Sequence, residues 1–377
     1  MKFQISSLLV FVLFQTLAFG FPFDNLRTLQ IGKKDVITVK ESEKLNLLRR
    51  GVKFIDITKQ QQSGYFLRPT EEDPIIPEYS FPLRMNYTDI VNKLISKIDQ
   101  KNMYDKLAKF TSFYTRYYKS NDGYEAAEWL SKQIHEIIDK LPKDVVSVEH
   151  FDHKEWKQYS ILVKFKGSVT PENIIVVGSH LDSINLLFPT LLPAPGADDN
   201  GSGTVTNLEA LRLFAEYVSS KDHVLKNTIE FHFYSAEEAG LLGSLDVFTA
   251  YAALQRKVVA MLQQDMTGFV ADPTNEHVGV ITDYTDKPLT NFVKKVIDTY
   301  LSIPYVETEC GYACSDHGSA TKNGYPGAFV IESEFKQTSK YIHSTMDTLD
   351  KLSFSHMAEH TKLVLGTVVE LAAWGKF

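Results

Sequence analysis

One stretch of the chain, residues 174–203, combines the pattern of a buried strand with side chains that bind metals. Residues 174–177 are four consecutive apolar residues, His180 follows them, and Asp198 lies in the glycine-bounded turn 196–201. An uninterrupted apolar run is typical of a strand covered on both faces, as in a parallel α/β sheet. Ligands of such sheets bind beyond the carboxyl ends of the strands. His180 and Asp198 are therefore candidate ligands of a metal such as zinc.

Other possible ligands follow later strand-like segments or stand in the loops beside them. These are Glu237, Glu238, Asp265 and His343. Each residue alone could equally be a helix cap or a solvated loop residue, because the chain has 11 histidines and 47 acids. Two histidines with three carboxylates exceed the three protein ligands of a single catalytic zinc. They suit two ions about 3.5–4 Å apart that share a carboxylate. The tight turn favours Asp198 as that shared ligand.

Two further acids near these ligands have predicted roles that are not coordination. Asp182 stands two residues after His180, so an extended chain places it where it can orient the imidazole. Glu237 and Glu238 are adjacent and cannot both face one metal from a regular strand. We expect one of them to bind metal and the other to act as a general base.

The only two cysteines of the chain, Cys310 and Cys314, enclose three residues. In an exported protein such a pair is expected to form a disulfide, although two free thiols are the alternative. So short a loop gains little global stability from a bridge. Its expected value is to fix the shape around Tyr312, whose hydroxyl could stabilise a developing oxyanion.

The elements that must position these residues alternate between strand and helix patterns. Strands are predicted at 145–151, 159–165, 174–177, 229–234, 258–264 and 328–331, and helices at 124–141, 204–218, 288–300 and 354–374. The first two strands are expected to form an antiparallel pair at the sheet edge. The fold class is therefore α/β, a three-layer α/β/α sandwich with a central mixed, largely parallel sheet.

The N-terminal part of the sequence has the features of an exported precursor. Residues 1–20 combine a basic start, an apolar run and small residues at cleavage spacing, which predicts a signal peptide rather than a membrane anchor. Residues 21–80 contain strand patterns at 36–39 and 51–57 around a charged helix at 41–50, then an acidic, proline-rich linker. This segment is predicted to be a propeptide, and the alternative is an accessory module that stays attached.

Composition restricts the partners that the protein can have. The net charge is −7 and the basic residues are dispersed, which argues against nucleic-acid binding. After the first 20 residues no apolar run has the length of a membrane span. We expect a secreted, soluble, monomeric protein, glycosylated at the Asn86-Tyr87-Thr88 acceptor.

With these residues in hand, the chain resembles the M28 family of zinc aminopeptidases, and within it the secreted fungal leucine aminopeptidases and their bacterial relatives. The matching blocks are 178–183 (GSHLDS), 195–203 (PGADDNGSG), 235–244 (SAEEAGLLGS), 264–266 (QDM), 310–317 (CGYACSDH) and 342–348 (IHSTMDT). The similarity runs from about residue 105 to the C-terminus, and residues 53–58 also resemble the fungal propeptide. It implies that residues 81–377 form a zinc-dependent aminopeptidase domain.

The resemblance also implies a role for each candidate residue. Asp198 would bridge two zinc ions, His180 and Asp265 would hold one, and Glu238 and His343 the other. Glu237 would be the general base, with zinc-bound water as the nucleophile, and Tyr312 would stabilise the tetrahedral intermediate. The implied reaction removes the N-terminal residue, leucine or another apolar one, from peptides with a free N-terminus. A role for His317 stays open.

Three other functions fit parts of the same pattern. A glutaminyl cyclase resembles this chain but uses one zinc and lacks the full ligand set. A carboxypeptidase-like relative usually carries an inserted lid domain, and no stretch here is long enough for one. A secreted binding protein that has lost its chemistry should lack at least one ligand or the base, yet all six residues are present.

Overall fold

The structure, a computed structural model, describes residues 25–32, 35–63, 75–221 and 223–377. The predicted signal peptide lies outside these residues, as does most of the acidic linker. The strands are β1 Leu26–Gln30, β2 Val36–Lys40, β3 Ile55–Asp56, β4 Val146–Phe151, β5 Ser160–Phe165, β6 Thr170–His180, β7 Asn227–Tyr234, β8 Lys257–Gln264, β9 Val278–Ile281, β10 Tyr305–Thr308 and β11 Gly327–Ile331. The helices are α1 Glu41–Arg49, α2 Thr58–Gln62, α3 Thr88–Ile95, α4 Gln100–Phe110, α5 Asn121–Ile138, α6 Gly203–Ser219, α7 Leu242–Ala253, α8 Lys287–Tyr300, α9 His317–Lys322 and α10 Phe354–Ala373.

Eight strands form a mixed sheet in the order β10-β9-β11-β8-β6-β7-β5-β4. The central strands β11, β8, β6 and β7 are parallel neighbours. The edge strands β4 and β5 pair antiparallel, and β5 pairs antiparallel with β7. The mixed sheet and the antiparallel pair at its edge are as the sequence predicted.

Alternating residues of β6 belong to two hydrophobic cores, one on each face of the sheet. Ile175 and Val177 pack in a core with residues of α5, α6, α8 and α10. Ile174 and Val176 pack in a second core with residues of α7 and α9. The apolar run is therefore continuous because both of its faces are covered. This arrangement is the predicted α/β/α sandwich.

The predicted strands and helices of the sheet domain are all present, and most boundaries shift by a few residues. Strand β6 is longer than the predicted 174–177 because Thr170 before this run and residues 178–180 after it also pair with β7. The predicted strand 51–57 is wrong in extent, because only Ile55–Asp56 pairs, on β1. The described residues contain no helix that is both apolar and long enough to cross a membrane.

The N-terminal segment 25–63 forms a small sheet of its own, with the strand order β2-β1-β3. A buried ion pair between Lys44 and Asp56, at 2.6 Å, joins α1 to β3. Ile55 and Ile57 pack against Leu241 and Leu245 of the sheet domain. The segment is thus a folded unit that lies against the larger domain.

Candidate active site

The functional side chains meet where three adjacent parallel strands end. His180 is the last residue of β6, Asp265 follows β8, and Glu237 and Glu238 form a short turn after β7. His343 comes from the long segment between β11 and α10. Neighbouring carboxyl ends in an open α/β sheet form a crevice, which explains why residues so distant in sequence come together.

Several backbone conformations at this crevice are ones that side chains other than glycine rarely adopt. His343 has a φ of 57°, Ala236 before Glu237 a φ of 56°, and Met266 after Asp265 a φ of 54°. Left-handed non-glycine residues cost free energy and persist where surrounding contacts impose them. Their position beside the predicted site residues supports a functional use of these turns.

Two groups of possible metal ligands share one carboxylate, that of Asp199. His180 Nε2 lies 3.2 Å from Asp199 Oδ1 and 3.4 Å from Asp265 Oδ1. His343 Nε2 lies 3.0 Å from Asp199 Oδ2 and 2.9 Å from Glu238 Oε2. Each oxygen of Asp199 therefore faces a different histidine.

The prediction that Asp198 bridges the two groups is wrong in position. Asp198 Oδ1 accepts a hydrogen bond from Gly268 N at 3.1 Å, away from both histidines. The carboxyl of Asp198 is buried next to that of Glu332, and burial with this neighbour raises its pKa well above the usual value. The physical reason is that successive residues of an irregular turn point to different sides. Spacing alone identifies the turn and does not choose between its two aspartates.

The donor set fits zinc in type and separation. Two tetrahedral ligands each about 2.0–2.2 Å from zinc are roughly 3.3–3.5 Å apart, and zinc takes imidazole and carboxylate donors. The four separations above, 2.9 to 3.4 Å, are close to that value. In addition, Glu238 Oε1 and Asp265 Oδ1 are buried and accept no hydrogen bond from any residue that the structure describes. Buried acceptors without a donor need another partner, and a cation would supply it.

Asp182 holds the site together, as its predicted role requires. Its backbone oxygen lies 3.2 Å from His180 Nδ1, which leaves Nε2 free to face the acids. Its carboxylate accepts hydrogen bonds from Glu237 N at 3.0 Å and Glu238 N at 3.3 Å. Asp182 thus contacts His180 through its backbone oxygen, with its carboxylate Oδ1 3.4 Å from the same nitrogen, and holds the turn of both glutamates through its carboxylate.

Other supporting residues were not predicted from the sequence. Asp347 accepts hydrogen bonds from the amides of Asp198 and Asp199, at 2.9 and 3.1 Å. Ser315 Oγ donates to Asp265 Oδ2 at 2.6 Å. Both residues lie inside the family-like blocks, so their presence was visible in the sequence while their contacts were not.

The ionisable groups of the site perturb one another strongly. Burial alone would lower the pKa of His343, but Glu238 and Asp199 raise it to about 10. Burial and the neighbouring Asp199 raise the pKa of Glu238 to about 7. Burial would raise the pKa of Asp199, but hydrogen bonds with His180 and His343 lower it far below its usual range. These opposite shifts of the pKa favour a protonated His343 beside an ionised Asp199 when no cation is bound.

Glu237 differs from Glu238 in its surroundings. Its Oε2 is 3.8 Å from His180 Nε2, and it belongs to neither group of possible ligands. Its side chain is 12 % exposed, so it borders the accessible part of the site. Burial of its carboxyl, together with Glu238 and Asp316, raises its pKa well above the usual value. This geometry separates one glutamate that can bind metal from one that can carry a proton.

The disulfide between Cys310 and Cys314 is present, which confirms that prediction. Tyr312, inside this loop, is close enough to the acids that burial, Glu237 and Asp265 raise its pKa. The phenol therefore keeps its proton at neutral pH and remains a hydrogen-bond donor. His317 is buried with its ring 5.1 Å from that of Phe329, and it belongs to neither ligand group.

Comparison with known proteins was made with this geometry in hand. Residues 160–368 match the family described as peptidase family M28. A Saccharomyces cerevisiae protein named "Probable aminopeptidase" is 60 % identical over 371 residues, which are 98 % of this chain and 99 % of that protein. Leucine aminopeptidase 1 of Ajellomyces capsulatus is 48 % identical over 348 residues, which are 91 % of this chain and 89 % of that protein.

Solved structures give the same result. The LapA aminopeptidase of Legionella pneumophila superposes with a TM-score of 0.78 at 29 % identity, over 90 % of this chain and 91 % of that one. LapB from the same organism superposes with a TM-score of 0.78 at 27 % identity, over 92 % of this chain and 95 % of that one. The chain belongs to peptidase family M28 and is a metallo-aminopeptidase.

Proposed function

We propose that the protein is a secreted exopeptidase that holds two zinc ions and removes an apolar N-terminal residue, such as leucine, from peptides. The observation that carries the proposal is the position of Asp199 between two histidines, each within 3.2 Å of one of its oxygens. In this proposal His180 and Asp265 would hold one ion, Glu238 and His343 would hold the other, and Asp199 would contribute to both groups. A single-zinc cyclase has no use for the second group of ligands.

When bound, two zinc ions would polarise the scissile carbonyl and lower the pKa of the attacking water. Glu237, at the accessible edge of the site, takes a proton from that water and returns it to the leaving amine. The Tyr312 hydroxyl, kept protonated by burial and by the acids around it, donates to the oxyanion that develops on the carbonyl.

The preference for leucine rests on the relatives named leucine aminopeptidase 1, at 48 % identity and below. The export of the protein rests on the signal-like residues 1–20. Asn86 is exposed at the start of the sheet domain, and its side-chain amide donates to Arg84 O at 3.0 Å. Glycosylation there is consistent with export.

We also propose that the N-terminal segment is an inhibitory propeptide. Asp56 N donates to Gly240 O at 3.0 Å, one residue beyond the turn that carries the two glutamates. On another side of the site, Arg49 Nε donates to Leu186 O at 2.7 Å. Leu186 N in turn donates to His343 O at 3.1 Å. The segment therefore contacts two loops that flank the site, which supports a block on substrate entry.

The contacts of residues 75–81 restrict where a propeptide can end. The ring of Tyr79 lies 6.3 Å from that of Phe377, and Phe81 packs on both Phe292 and Phe377. Cleavage at residue 80 would take Tyr79 away from the C-terminus. These contacts favour cleavage before Tyr79 over the boundary near residue 80 that the composition suggested.

The experiment that tests the main proposal is a metal count together with an activity assay. The secreted protein is cleaved in residues 64–74, its zinc is measured, and hydrolysis of leucyl anilide is followed before and after chelation. We expect about two zinc ions per chain, loss of turnover on chelation and recovery with added zinc. One zinc ion with cyclisation of N-terminal glutamine would instead identify a cyclase. A folded, cleaved protein with no metal and no turnover would leave only a binding function.

A further inference from the structure

One arginine, Arg116, lies wholly inside the protein beneath the candidate metal site. Its side chain has no exposed surface, and it is among the largest side chains buried to that degree in the described residues. Burial lowers the pKa of Arg116 to about 10, so the guanidinium stays charged at neutral pH. Buried charges are rare unless fully paired. The hydrogen bonds of the guanidinium therefore indicate the role of this buried charge.

Among the described residues, the guanidinium of Arg116 donates hydrogen bonds to three backbone oxygens, which lie at both ends of one loop. Nε donates to Leu181 O at 2.9 Å, directly after His180. Nη2 donates to Gly196 O at 2.8 Å and Nη1 to Pro195 O, shortly before Asp199. The planar fork of arginine thus connects the chain segments that follow one proposed ligand and precede another.

Neighbouring residues pack closely around the side chain of Arg116 and form hydrogen bonds with its backbone. A Cβ atom on Gly196 would lie 2.8 Å from Arg116 Nη2, and Gly196 has a φ of +52°. The ring of Phe110 lies 4.2 Å from the guanidinium carbon on another side. The Arg116 amide donates to Ser183 Oγ at 3.1 Å, and Ser183 Oγ donates to Ala194 O at 2.8 Å. Backbone and side chain of Arg116 therefore close the same loop.

The loop between these contacts is long, and the residues at its tip are exposed to solvent. Residues 181–196 leave the sheet after His180 and return at the turn of Asp199, and Leu187 and Phe188 within them are 63 % and 55 % exposed. A loop of this length does not fix the separation of its ends by itself. Three hydrogen bonds from the side chain of Arg116 connect the two ends of the loop directly.

We propose that Arg116 is a positioning residue that sets the distance between His180 and Asp199 and thereby the affinity of the site for zinc. The inference rests on the two-zinc function proposed above. The positive charge and the geometry have opposite effects on metal binding. Removing a cation near carboxylates favours zinc, whereas loosening the two ligand segments disfavours it. A variant that keeps the charge but loses the fork therefore isolates the geometry.

The test compares zinc affinity in metal-free wild type, Arg116→Lys and Ser183→Ala, measured by competition with a chromogenic chelator. Arg212→Lys is the matched control. Like Arg116, Arg212 donates to a backbone oxygen, but it also pairs with the carboxylate of Glu209, and its side chain, on α6, is 33 % exposed. We expect a loss of about 10–100-fold for Arg116→Lys, the range seen when groups that orient ligands are removed. A smaller loss is expected for Ser183→Ala, and none for Arg212→Lys. The visible spectrum of the cobalt-substituted protein should change with Arg116→Lys.

The outcomes separate this inference from the function on which it rests. Wild-type zinc affinity and an unchanged cobalt spectrum in both Arg116→Lys and Ser183→Ala would overturn the inference while leaving the two-zinc site intact. A wild type that binds fewer than two metals would overturn the proposed function itself. If Arg116→Lys does not fold, Ser183→Ala decides, since it removes a loop contact without leaving a buried charge unpaired.

Discussion

Asp198 and Asp199 are adjacent, have the same side chain and lie in opposite environments. Asp199 contacts both histidines, whereas Asp198 faces Gly268 and Glu332. The direction in which the backbone points each side chain, and not the residue type, therefore decides which of the two carboxylates can bind metal. The pair allows a comparison in which only the direction of the side chain differs.

We predict that Asp199→Asn abolishes the binding of at least one zinc ion and lowers kcat/KM by more than about 10³-fold, because an amide is a poor bridging ligand. The matched change Asp198→Asn should keep both zinc ions and most of the activity. Metal content after gel filtration and leucyl anilide hydrolysis measure both effects. The reverse result, with metal lost only in Asp198→Asn, would restore Asp198 as the bridge.

We predict that Glu237→Gln lowers kcat by about 10²–10⁴-fold while two zinc ions remain bound, because the amide cannot accept the proton of water. Glu216→Gln, an acid on the surface of α6 that pairs with Lys97, is the control and should be neutral. Steady-state kinetics and zinc content are measured on the same samples. Substantial activity in Glu237→Gln would assign proton transfer to another group.

Most of the site residues could be named from the sequence, because ligand types recur where strands end. His180, Glu238, Asp265 and His343 all reach the site. Asp199 could not be chosen over Asp198, because the direction of a side chain in an irregular turn depends on tertiary contacts. Arg116 could not be predicted from the sequence either, because it does not follow a strand and its partners are backbone oxygens.

At the scale of elements, the strands and helices that the sequence predicted in the sheet domain were found because each has a regular apolar pattern. The elements α3, α4, α7, α9, β9 and β10 were not predicted, and in α9, β9 and β10 four to six residues carry too little periodicity. The N-terminal strand pattern 51–57 failed for a related reason. Phe54 is buried against the turn at Gly240 and Ile57 in the cluster with Leu241, so contact with the sheet domain, and not strand pairing, accounts for their burial.

The structure describes three ion pairs between the N-terminal segment and the sheet domain, Arg27–Glu155, Glu41–Lys119 and Lys59–Asp246, and the last can be removed without touching the site. Lys59 Nζ lies 2.5 Å from Asp246 Oδ2 on α7. We predict that cleavage within residues 64–74 leaves the segment bound and the enzyme slow until the segment dissociates. Activity should then rise at least about tenfold, and Lys59→Met should shorten the lag, because the bound segment loses an ionic contact.

The measurement is the time course of leucyl anilide hydrolysis after cleavage, with gel filtration to detect release of the segment. Lys101→Met serves as the control, since Lys101 pairs with Asp105 on the exposed surface of α4. Equal activity before and after release would remove the inhibitory role. A lag that Lys59→Met does not change would show that the ion pair of Lys59 does not slow release, and it would leave the inhibitory role untouched.

For the whole molecule, the cluster of acidic residues at the site makes both the affinity for zinc and the free energy of unfolding depend on pH. In the metal-free protein the pKa of Glu238 is raised to about 7 and that of His343 to about 10. Both groups hold protons that zinc must displace. Because both pKa values are raised on folding, the stability that they contribute is present at low pH and is lost as the pH rises through these values.

We therefore predict that zinc affinity increases between pH 6 and pH 8, by about tenfold per pH unit for each proton released. The rise in Tm that saturating zinc produces should also grow over this range, because the metal-free form loses stability. Chelator competition and thermal unfolding with and without zinc measure the two effects. An affinity that does not change with pH would show that the site is already deprotonated before metal binds.

The packing of Phe377 against Tyr79 and Phe81 has a consequence for how the chain can be rearranged. Trp374 Nε1 donates to Ser80 O at 2.7 Å, and Ser80 Oγ donates to Lys376 O. If the N-terminal segment is removed, residues 79–81 still lie beside residues 374–377. A few residues could join position 377 to position 79, and opening the chain in an exposed turn would give a circular permutant with the same sheet.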